Sequence, residues 1–560
     1  MKTLNKIFLI LAVIAFVSCD EHLTELNVNP NGVDPSVVNP NLIMPTIIVG
    51  IADHYLDDNY QGDQAGVMQY IQKSGWGAGG YDYEWTTAKG WSGRYNVLRN
   101  ANHLISRSEQ MGMEFHQGVG YVVRAWTFGY IADSWGPAPY TYALNATGGD
   151  QTDYFPPYDD EETIYRGIIE ELKNANTLLS KPRGQYEGIS ASADVLYNGD
   201  PALWRKFANS LMLRYYMRLS DKLPTFAQNG IEEIMGNPSQ FPIFTSNSDE
   251  AAMNYVGASR ENSWPVSVAF DASRSGFERI QMCAGIRDAL QEHNDPRMAV
   301  WFNPVRVQIQ VSEDYPEGDV VVDGVRYLRP DHMAANNMVV YNPDTWVDDA
   351  IANRVIVDTN VFVGAPIAYT RGDIANWNLN PAPIQGGANP HNSALADMFQ
   401  GPAGELLQAR LITYAEVSFI LAEAAQKGWN VGGGTQQQWY ENGIQASLDY
   451  WQVGGQYDDY IAEPGVAYDG SLEQIMEQKW IANFNVAHES WLDWRRTGLP
   501  DLTVGPNGAR QAMPLRFQYP TDEISRNFQN WQAASSTLVQ TAFTAGDGDD
   551  SAWSRVWLIQ

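Results

Sequence analysis

The stretch Gln478–Pro500, QKWIANFNVAHESWLDWRRTGLP, constrains the fold of this 560-residue chain more than any other segment. Around it, large apolar residues recur at spacings of four, four, three and four positions: Met476, Trp480, Phe484, Ala487 and Trp491. This spacing is typical of one face of a helix, which we expect to begin at Ser471 and to end at Gly498 and Pro500. A face with so many large rings has to pack against other helices. The segment therefore predicts a mainly helical body.

Two adjacent arginines, Arg495 and Arg496, end the same stretch. A guanidinium buried between helices needs a carboxylate partner, because an unpaired buried charge is strongly destabilising. Glu416 and Glu423 are seven residues apart, so they share one face of a second predicted helix. We predict that Arg495 or Arg496 pairs with one of these glutamates across a helix interface. All four residues then have a structural role.

Further helices are predicted in successive pairs, at 96–109 with 119–133, 159–179 with 201–219, and 411–428 with 436–451. Another helix is expected over 45–72, and the stretch described above supplies a fourth hairpin. Because the period is not strict, the predicted fold class is mainly α, a tetratricopeptide-like scaffold of helical hairpins rather than a clean repeat.

Between residues 237 and 404 the helical pattern mostly fails, and short β-favouring runs alternate with Pro- and Gly-rich segments. We therefore predict one domain over 42–560, whose scaffold comprises about 42–236 and 405–530. The region 237–404 is expected to be a large, irregular, loop-rich insertion with small β elements. Loops carried by a rigid scaffold are where binding sites are usually found.

Charge and composition limit the ligands that this chain can bind. The formal net charge is -30, with 66 acidic against 36 basic residues, which disfavours nucleic acids and anionic membrane surfaces. Neutral ligands stay open. The chain also has 19 tryptophans and 29 tyrosines, and its aromatic content of 12% is high for a chain with only 18% charged residues. Most of these rings are expected to pack in the core. Some of these rings are expected to face a ligand.

The first 18 residues are predicted to be a signal peptide, because two lysines precede an apolar run over 7–17 that is too short to span a bilayer. Cys19 follows directly and resembles the cysteine of a bacterial lipobox, although Phe16 stands where leucine is usual. Acylation of Cys19 would anchor the protein to a membrane through a tether over 19–41. The alternative is an ordinary signal peptide followed by a coincidental cysteine.

No motif for catalysis, cofactor binding or metal binding is complete in the sequence. His488 and Glu489 begin a zinc-protease motif, but Leu492 stands in place of its second histidine. There is no nucleophile elbow and no phosphate loop. The sequence therefore predicts a protein without a cofactor or a catalytic site. A carboxylate pair for glycoside hydrolysis is defined only in space, so that alternative stays open.

The loop SGWGAGGYDYEWTTAKGWSG, Ser74–Gly93, carries five large rings among its glycines. Three of the glycines match a dinucleotide-binding fingerprint, but no strand precedes them and no suitable helix follows, so we interpret the match as chance. Two structures are open for such a loop. It either displays its rings to a ligand or folds them back to cover the core.

Several segments together resemble the SusD/RagB family of outer-membrane nutrient-binding lipoproteins. They are YAEVSFILAEAAQKGW (Tyr414–Trp429), the stretch Gln478–Pro500, PLRFQYPTDEISRNFQN (Pro514–Asn530), NDPRMAVWF (Asn294–Phe302) and ELNVNPN (Glu25–Asn31). The third has the form R-x-x-YP-x-x-E-x-x-x-N, carried by Arg516, Tyr519, Pro520, Glu523 and Asn527. The acidic pair after Cys19 is similar to a signal for export to the outer face. The resemblance covers essentially the whole mature chain.

This resemblance implies a non-enzymatic protein that is lipid-anchored outside the outer membrane. Such proteins act as the lid of a SusC-type TonB-dependent transporter, and their ligand is usually an oligosaccharide and in some members a peptide. By family position, the loop at 74–91 and the segment 259–265 are expected to hold the ligand. The candidate stacking rings and their polar partners are Trp76, Tyr81, Trp85, Trp264, Asp82 and Asn262. A secreted glycoside hydrolase and a tetratricopeptide-like adaptor are the competing predictions.

Overall fold

A computed structural model describes residues 37–60, 63–73, 80–145, 148–271, 275–367, 377–379, 389–506, 508–544 and 546–560. The predicted signal peptide, the acylation site Cys19, most of the predicted tether and Trp76 lie outside these residues. The boundaries predicted for the signal peptide and the lipidated tether therefore stay predictions.

Helices form most of the regular structure in the described ranges. In the amino-terminal half they are α1 (Pro40–Tyr60), α2 (Gln64–Val67), α3 (Ser92–Met111), α4 (Glu114–Trp135), α5 (Gln151–Tyr154), α6 (Glu161–Leu178), α7 (Pro201–Arg218) and α8 (Pro224–Gly236). The middle region has α9 (Ser275–Glu278), α10 (Ala284–Glu292), α11 (Met298–Trp301), α12 (Pro330–Ala335) and α13 (Trp346–Ile351). The carboxyl-terminal helices are α14 (Tyr414–Gln426), α15 (Gln436–Tyr450), α16 (Tyr457–Tyr460), α17 (Leu472–Ala482), α18 (Ala487–Thr497), α19 (Thr521–Arg526) and α20 (Phe528–Ser535).

The strands are short and belong to small separate sheets. They are β1 (Ile71–Lys73), β2 (Ala251–Asn254), β3 (Ile280–Met282), β4 (Gln308–Val311), β5 (Asp319–Val322), β6 (Val325–Leu328), β7 (Met338–Val340), β8 (Val355–Val357) and β9 (Gln408–Ile412). β1 pairs with β3 and β2 with β9, both antiparallel. β6 lies between β4 and β5, and β7 pairs with β8 in parallel.

The scaffold consists of helices that pack against their neighbours in the chain. α3 packs against α4, α4 against α6, α6 against α7, and α14 against α15. The pairs α3–α4, α6–α7 and α14–α15 were predicted, and their ends lie within a few residues of those predicted from periodicity. The contact of α4 with α6 was not predicted. The predicted fold class, a mainly α scaffold with small β elements, is confirmed.

Helix starts follow local capping rules. The Asp160 carboxylate accepts the N–H of Thr163 at the start of α6, and the Ser471 hydroxyl accepts the N–H of Gln474 at the start of α17. These contacts explain why both starts were predictable from sequence.

The stretch that organises the chain is two helices rather than one, which corrects the prediction of a continuous helix. α17 ends at Ala482 and α18 begins at Ala487. The break is held from outside, because Asn59 Oδ1 accepts the N–H of Ala487 at 3.0 Å, and Asn485 Oδ1 accepts the hydroxyl of Tyr60 at 2.6 Å. The five apolar residues of the predicted face are nevertheless all buried.

The pairing predicted for the arginines is observed between Arg496 and Glu423. Both guanidinium Nη atoms donate to the carboxylate, at 2.6 and 2.7 Å, and both side chains are buried. Glu416 pairs with Arg214 of α7 instead. Arg495 binds no carboxylate side chain directly and donates to the main-chain carbonyls of Leu515 and Asp133.

The predicted helix over 45–72 is shorter in the structure and ends at Tyr60. The short helix α2 follows it, and then β1 pairs with β3 from the middle region. This pairing joins segments more than two hundred residues apart, so local periodicity carried no sign of it.

Candidate ligand-binding site

The rings of the loop that follows β1 are buried wherever the structure describes them. Tyr81 and Tyr83 are fully buried, and Trp85 and Trp91 are 4% and 5% exposed. Trp85 packs against Trp491 and Phe517, with ring centroids 5.4 and 5.0 Å apart. For this part of the loop the rings therefore cover the core, which is the second of the two structures that the sequence left open.

Tyr81 and Asp82 are held by the scaffold beneath the loop. The Tyr81 hydroxyl donates to the main-chain oxygen of Tyr60 at 2.6 Å. Its ring lies directly over Gly66, where an added Cβ would come within 2.1 Å of the ring. Asp82 is 2% exposed, and its main-chain oxygen accepts the N–H of Ala509. Tyr81, Asp82 and Trp85 present no free surface to a ligand in this structure, because packing against the core is energetically preferred for large apolar rings.

Trp264 lies at the junction of the middle region and the scaffold. Its ring is 1% exposed and makes edge contacts with Tyr60 and Tyr255, at centroid separations of 5.6 and 6.1 Å. Its main-chain N–H donates to Pro402 at 2.8 Å. The indole N–H is buried and has no acceptor among the described residues. The same holds for the buried indole N–H groups of Trp126, Trp301, Trp377 and Trp451, so this feature does not by itself mark Trp264 as a ligand contact.

Asn262 shapes the turn before Trp264. Its side-chain oxygen accepts the N–H groups of Ala258 and Ser259, at 2.9 and 2.8 Å. The residue is exposed. The side-chain oxygen of Asn262 is therefore used by the turn, while its amide nitrogen has no acceptor in the described part of the chain.

A small cleft of about 200 Å³ opens beside Trp264. We call it the Trp264 cleft and define it by six of its lining residues: Arg260, Ser263, Trp264, Ser267, Phe270 and Phe277. Phe270 is 42% exposed, and Arg260 donates to its main-chain oxygen at 2.9 Å. The sequence identified Trp264 and the segment 259–265, which includes Arg260, but it missed Phe270, because Phe270 stands in no recognisable pattern.

Among the described residues, the histidine and glutamate of the incomplete zinc-protease motif are both occupied by contacts within the scaffold. His488 is fully buried beside Gln64, and burial lowers its pKa well below the usual value. Glu489 accepts hydrogen bonds from Arg218 and Tyr55. Within the described ranges, no group of three or more His, Cys, Asp or Glu side chains is placed to hold a metal ion.

A sequence model of the SusD-like family, described as starch-binding and associating with the outer membrane, matches residues 32–326 and 385–520. The chain belongs to the SusD-like family. Its members are saccharide-binding, nutrient-binding proteins of the outer membrane. None of the curated proteins matches the sequence.

Solved SusD homologues share the fold of this SusD-like chain over nearly its whole length. One from Bacteroides fragilis is 22% identical, with a TM-score of 0.66, covering 93% of this chain and 99% of the other. A second from the same organism is 18% identical, with a TM-score of 0.69 and coverages of 93% and 100%. A chitin-binding SusD homologue of Flavobacterium johnsoniae is 20% identical, with a TM-score of 0.64 and coverages of 92% and 98%.

This SusD-like protein contains no membrane-crossing helix in the part that the structure describes, since none of those helices is both long and apolar enough.

Proposed function

We propose that this SusD-like protein captures an oligosaccharide outside the outer membrane and delivers it, as a lid, to a SusC-type TonB-dependent transporter. The observation that carries the proposal is the family match over 32–326 and 385–520, together with the ligand and membrane named in the family's description. The strongly acidic chain suits a neutral saccharide better than an anionic one. Anchoring through an acylated Cys19 is part of the same proposal.

The Trp264 cleft is the proposed place of capture, with Trp76 and Asn262 as further contributors. Saccharide rings have apolar C–H faces, and an exposed ring such as Phe270 presents a complementary surface. Arg260, Ser263 and Ser267 supply donors and acceptors for hydroxyl groups around it. The turn at 259–262 is fixed by its own hydrogen bonds, so little ordering entropy is lost on binding.

The site is tested by replacing Phe270, whose side chain is exposed enough to be removed without opening the core. Glycan-array screening of the mature protein first identifies a saccharide, and calorimetry then measures its affinity. We expect Phe270→Ala to weaken binding about tenfold, which corresponds to about 1.4 kcal/mol.

The matched control is Phe543→Ala, since Phe543 is similarly exposed at 40% but does not line the cleft. Equal saccharide affinity of the Phe270 variant and the wild type would show that the saccharide does not bind in the Trp264 cleft. A blank glycan array with binding to peptide mixtures would favour the peptide-binding alternative. Release of shorter saccharides from polysaccharide by the pure protein would favour a hydrolase.

A further inference from the structure

A second surface with the chemistry of a ligand site is separate from the Trp264 cleft. It is a groove between the segments 88–96, 137–144 and 151–162 on one side and the helices α19 and α20 on the other, and we call it the carboxyl-terminal groove. Three cavities of about 460, 460 and 470 Å³ lie along it. Neighbouring cavities share lining residues, Arg526 at one junction and Pro157 and Asn530 at the other. The groove has no lining residue in common with the Trp264 cleft.

The two walls of the groove are fastened to each other by hydrogen bonds. Glu523 Oε2 accepts the hydroxyl of Tyr158 at 2.7 Å. The amide nitrogens of Asn527 and Asn530 donate to the main-chain oxygens of Pro156 and Phe155, at 3.0 and 2.9 Å. Glu523 and Asn527 belong to the closing YP-x-x-E-x-x-x-N segment, which therefore fixes the shape of this groove. A preformed surface binds with little loss of conformational entropy.

Aromatic rings stand along the whole length of the groove. Trp91 and Tyr95 line the first cavity, Phe155 and Phe528 the middle one, and Trp557 the last. Phe155 and Phe528 are 46% and 49% exposed. Large apolar side chains exposed on both walls of one groove are typical of binding surfaces.

Polar side chains without a partner in the described part of the chain accompany these rings. Asp522 and Arg526 are both exposed and form no ion pair with each other, although they are four residues apart on α19. Ser92 and Asn96 line the same cavity and make no side-chain hydrogen bond there. Together these four groups offer both donors and acceptors beside Trp91.

We propose that the carboxyl-terminal groove is a second saccharide-binding surface, which holds a further stretch of an oligosaccharide chain or a second chain. The exposed rings of Phe155 and Phe528 match the apolar faces of sugars. The unpartnered hydroxyl, amide, carboxylate and guanidinium groups of the adjoining cavity match their hydroxyl edges. This inference rests on the proposed function, because it assumes that the ligand class is a saccharide.

A peptide fits the groove less well. Extended peptides usually bind by adding a strand to a free sheet edge, and no strand of the described residues lines any of the three cavities. An anionic partner is also disfavoured, because Asp160, Glu162, Asp522 and Glu523 outnumber Arg526 among the charged lining residues.

The experiment uses the mature protein and malto- and chito-oligosaccharides of graded length. The groove variant is Phe155→Ala with Phe528→Ala, the cleft variant is Phe270→Ala, and Phe543→Ala is the control. Calorimetry gives affinity and stoichiometry, and hydroxyl-radical footprinting reports which rings the saccharide covers. We expect the saccharide to protect Phe155 and Phe528, and the groove variant to bind long oligosaccharides about tenfold more weakly. The cleft variant should retain the protection of Phe155 and Phe528.

The outcomes separate this inference from the proposed function. If the cleft variant loses saccharide binding and the groove variant binds as the wild type does, the groove is not a saccharide surface. The proposed function would then still stand. Absence of binding to every oligosaccharide would count against both. Protection of Phe155 and Phe528 only when a partner protein is added, and not by saccharide, would overturn the groove as a saccharide surface and make it a protein interface.

Discussion

Glu489 is at the centre of a cluster of buried charges that joins the helices of the scaffold. It pairs with Arg218 at 2.5 Å and with Arg214 at 3.3 Å, both on α7. Although burial opposes ionisation, these two guanidinium groups lower the pKa of Glu489 below its usual value. Arg214 in turn binds Glu416 of α14. A few charged residues therefore connect α7, α14 and α18. They stabilise the fold only while each buried charge keeps its partner.

Arg496 and Arg495 test this view as a matched pair. Arg496→Ala leaves Glu423 buried without its bidentate partner, and we expect a loss of about 3–5 kcal/mol in the free energy of unfolding. Arg495→Ala removes hydrogen bonds to two carbonyls but strands no carboxylate partner, so a smaller loss of about 1–3 kcal/mol is expected.

Chemical denaturation measures both losses, and calorimetry on the folded fraction measures saccharide affinity. Arg329→Ala is the control, because Arg329 forms a surface pair with Asp331 and should leave the denaturation midpoint unchanged. A stable, folded Arg496 variant that fails to bind saccharide would contradict a structural role.

Glu161 makes the stability of the fold depend on pH. Burial raises its pKa to about 8, although the N–H of Trp557 donates to its carboxylate at 2.7 Å. Between pH 4.5 and 8 the unfolded chain has lost this proton while the folded chain keeps it, so stability present at low pH is lost as pH rises. Glu161→Gln should therefore gain stability relative to the wild type from pH 5 to 8, on the order of a few kcal/mol. Denaturation curves at both pH values check this, and a difference that does not change with pH would contradict it.

At the scale of elements, close contacts between helices depend on small residues at particular positions. Gly129 of α4 faces Tyr215 of α7, and an added Cβ would lie 2.1 Å from its hydroxyl oxygen. Tyr215 is buried, and its hydroxyl contacts the main-chain oxygens of Ala125 and Trp126, at 3.3 and 3.4 Å, so moving aside would break these contacts. The spacing of α4 and α7 is therefore set by a glycine that the periodicity of α4 does not single out.

Gly129→Ala should destabilise the protein by about 1–3 kcal/mol through overpacking, despite the better helix propensity of alanine. Gly236→Ala is the matched control, because Gly236 ends α8 with nothing near its Cβ position. That change should be neutral or stabilise by up to about 1 kcal/mol. Thermal unfolding of both variants measures the difference, and equal midpoints would show that α4 and α7 can separate at little cost.

Helices whose signals are local in the sequence could be predicted, whereas features fixed by distant residues could not. The paired helices were predictable, because their periodicity and their caps at Asp160 and Ser471 are local. The break between α17 and α18 was not, because Asn59 and Tyr60 impose it from more than four hundred residues away. The burial of Trp85 was likewise decided by Trp491 and Phe517, distant in sequence.

At the scale of the whole molecule, candidate binding surfaces lie in two places. The sequence indicated one of them, beside Trp264, and missed the other. Trp264 was named because a family-like segment contains it, and Phe270 beside it was missed. The carboxyl-terminal groove was missed altogether, since its walls come from segments near residues 90, 155 and 525. Glu523 and Asn527 were recognised as part of a motif, but only the fold reveals that they fasten one wall to the other.

Attachment of the whole molecule to the membrane is predicted to depend on Cys19. With a net charge of -30, the protein is repelled by anionic lipid, so electrostatic adsorption does not replace a lost anchor. Two or more acyl chains, in contrast, give stable attachment. Cys19→Ser should therefore move the protein from the membrane fraction to the soluble fraction, and mass spectrometry should find acyl chains on the wild type alone.

Cys283→Ala is the control, because Cys283 is buried in the core and its replacement should leave membrane attachment unchanged. Retention of the Cys19 variant in the membrane fraction would point to attachment through a partner, and surface proteolysis of intact cells would then tell whether that partner holds it on the outer face.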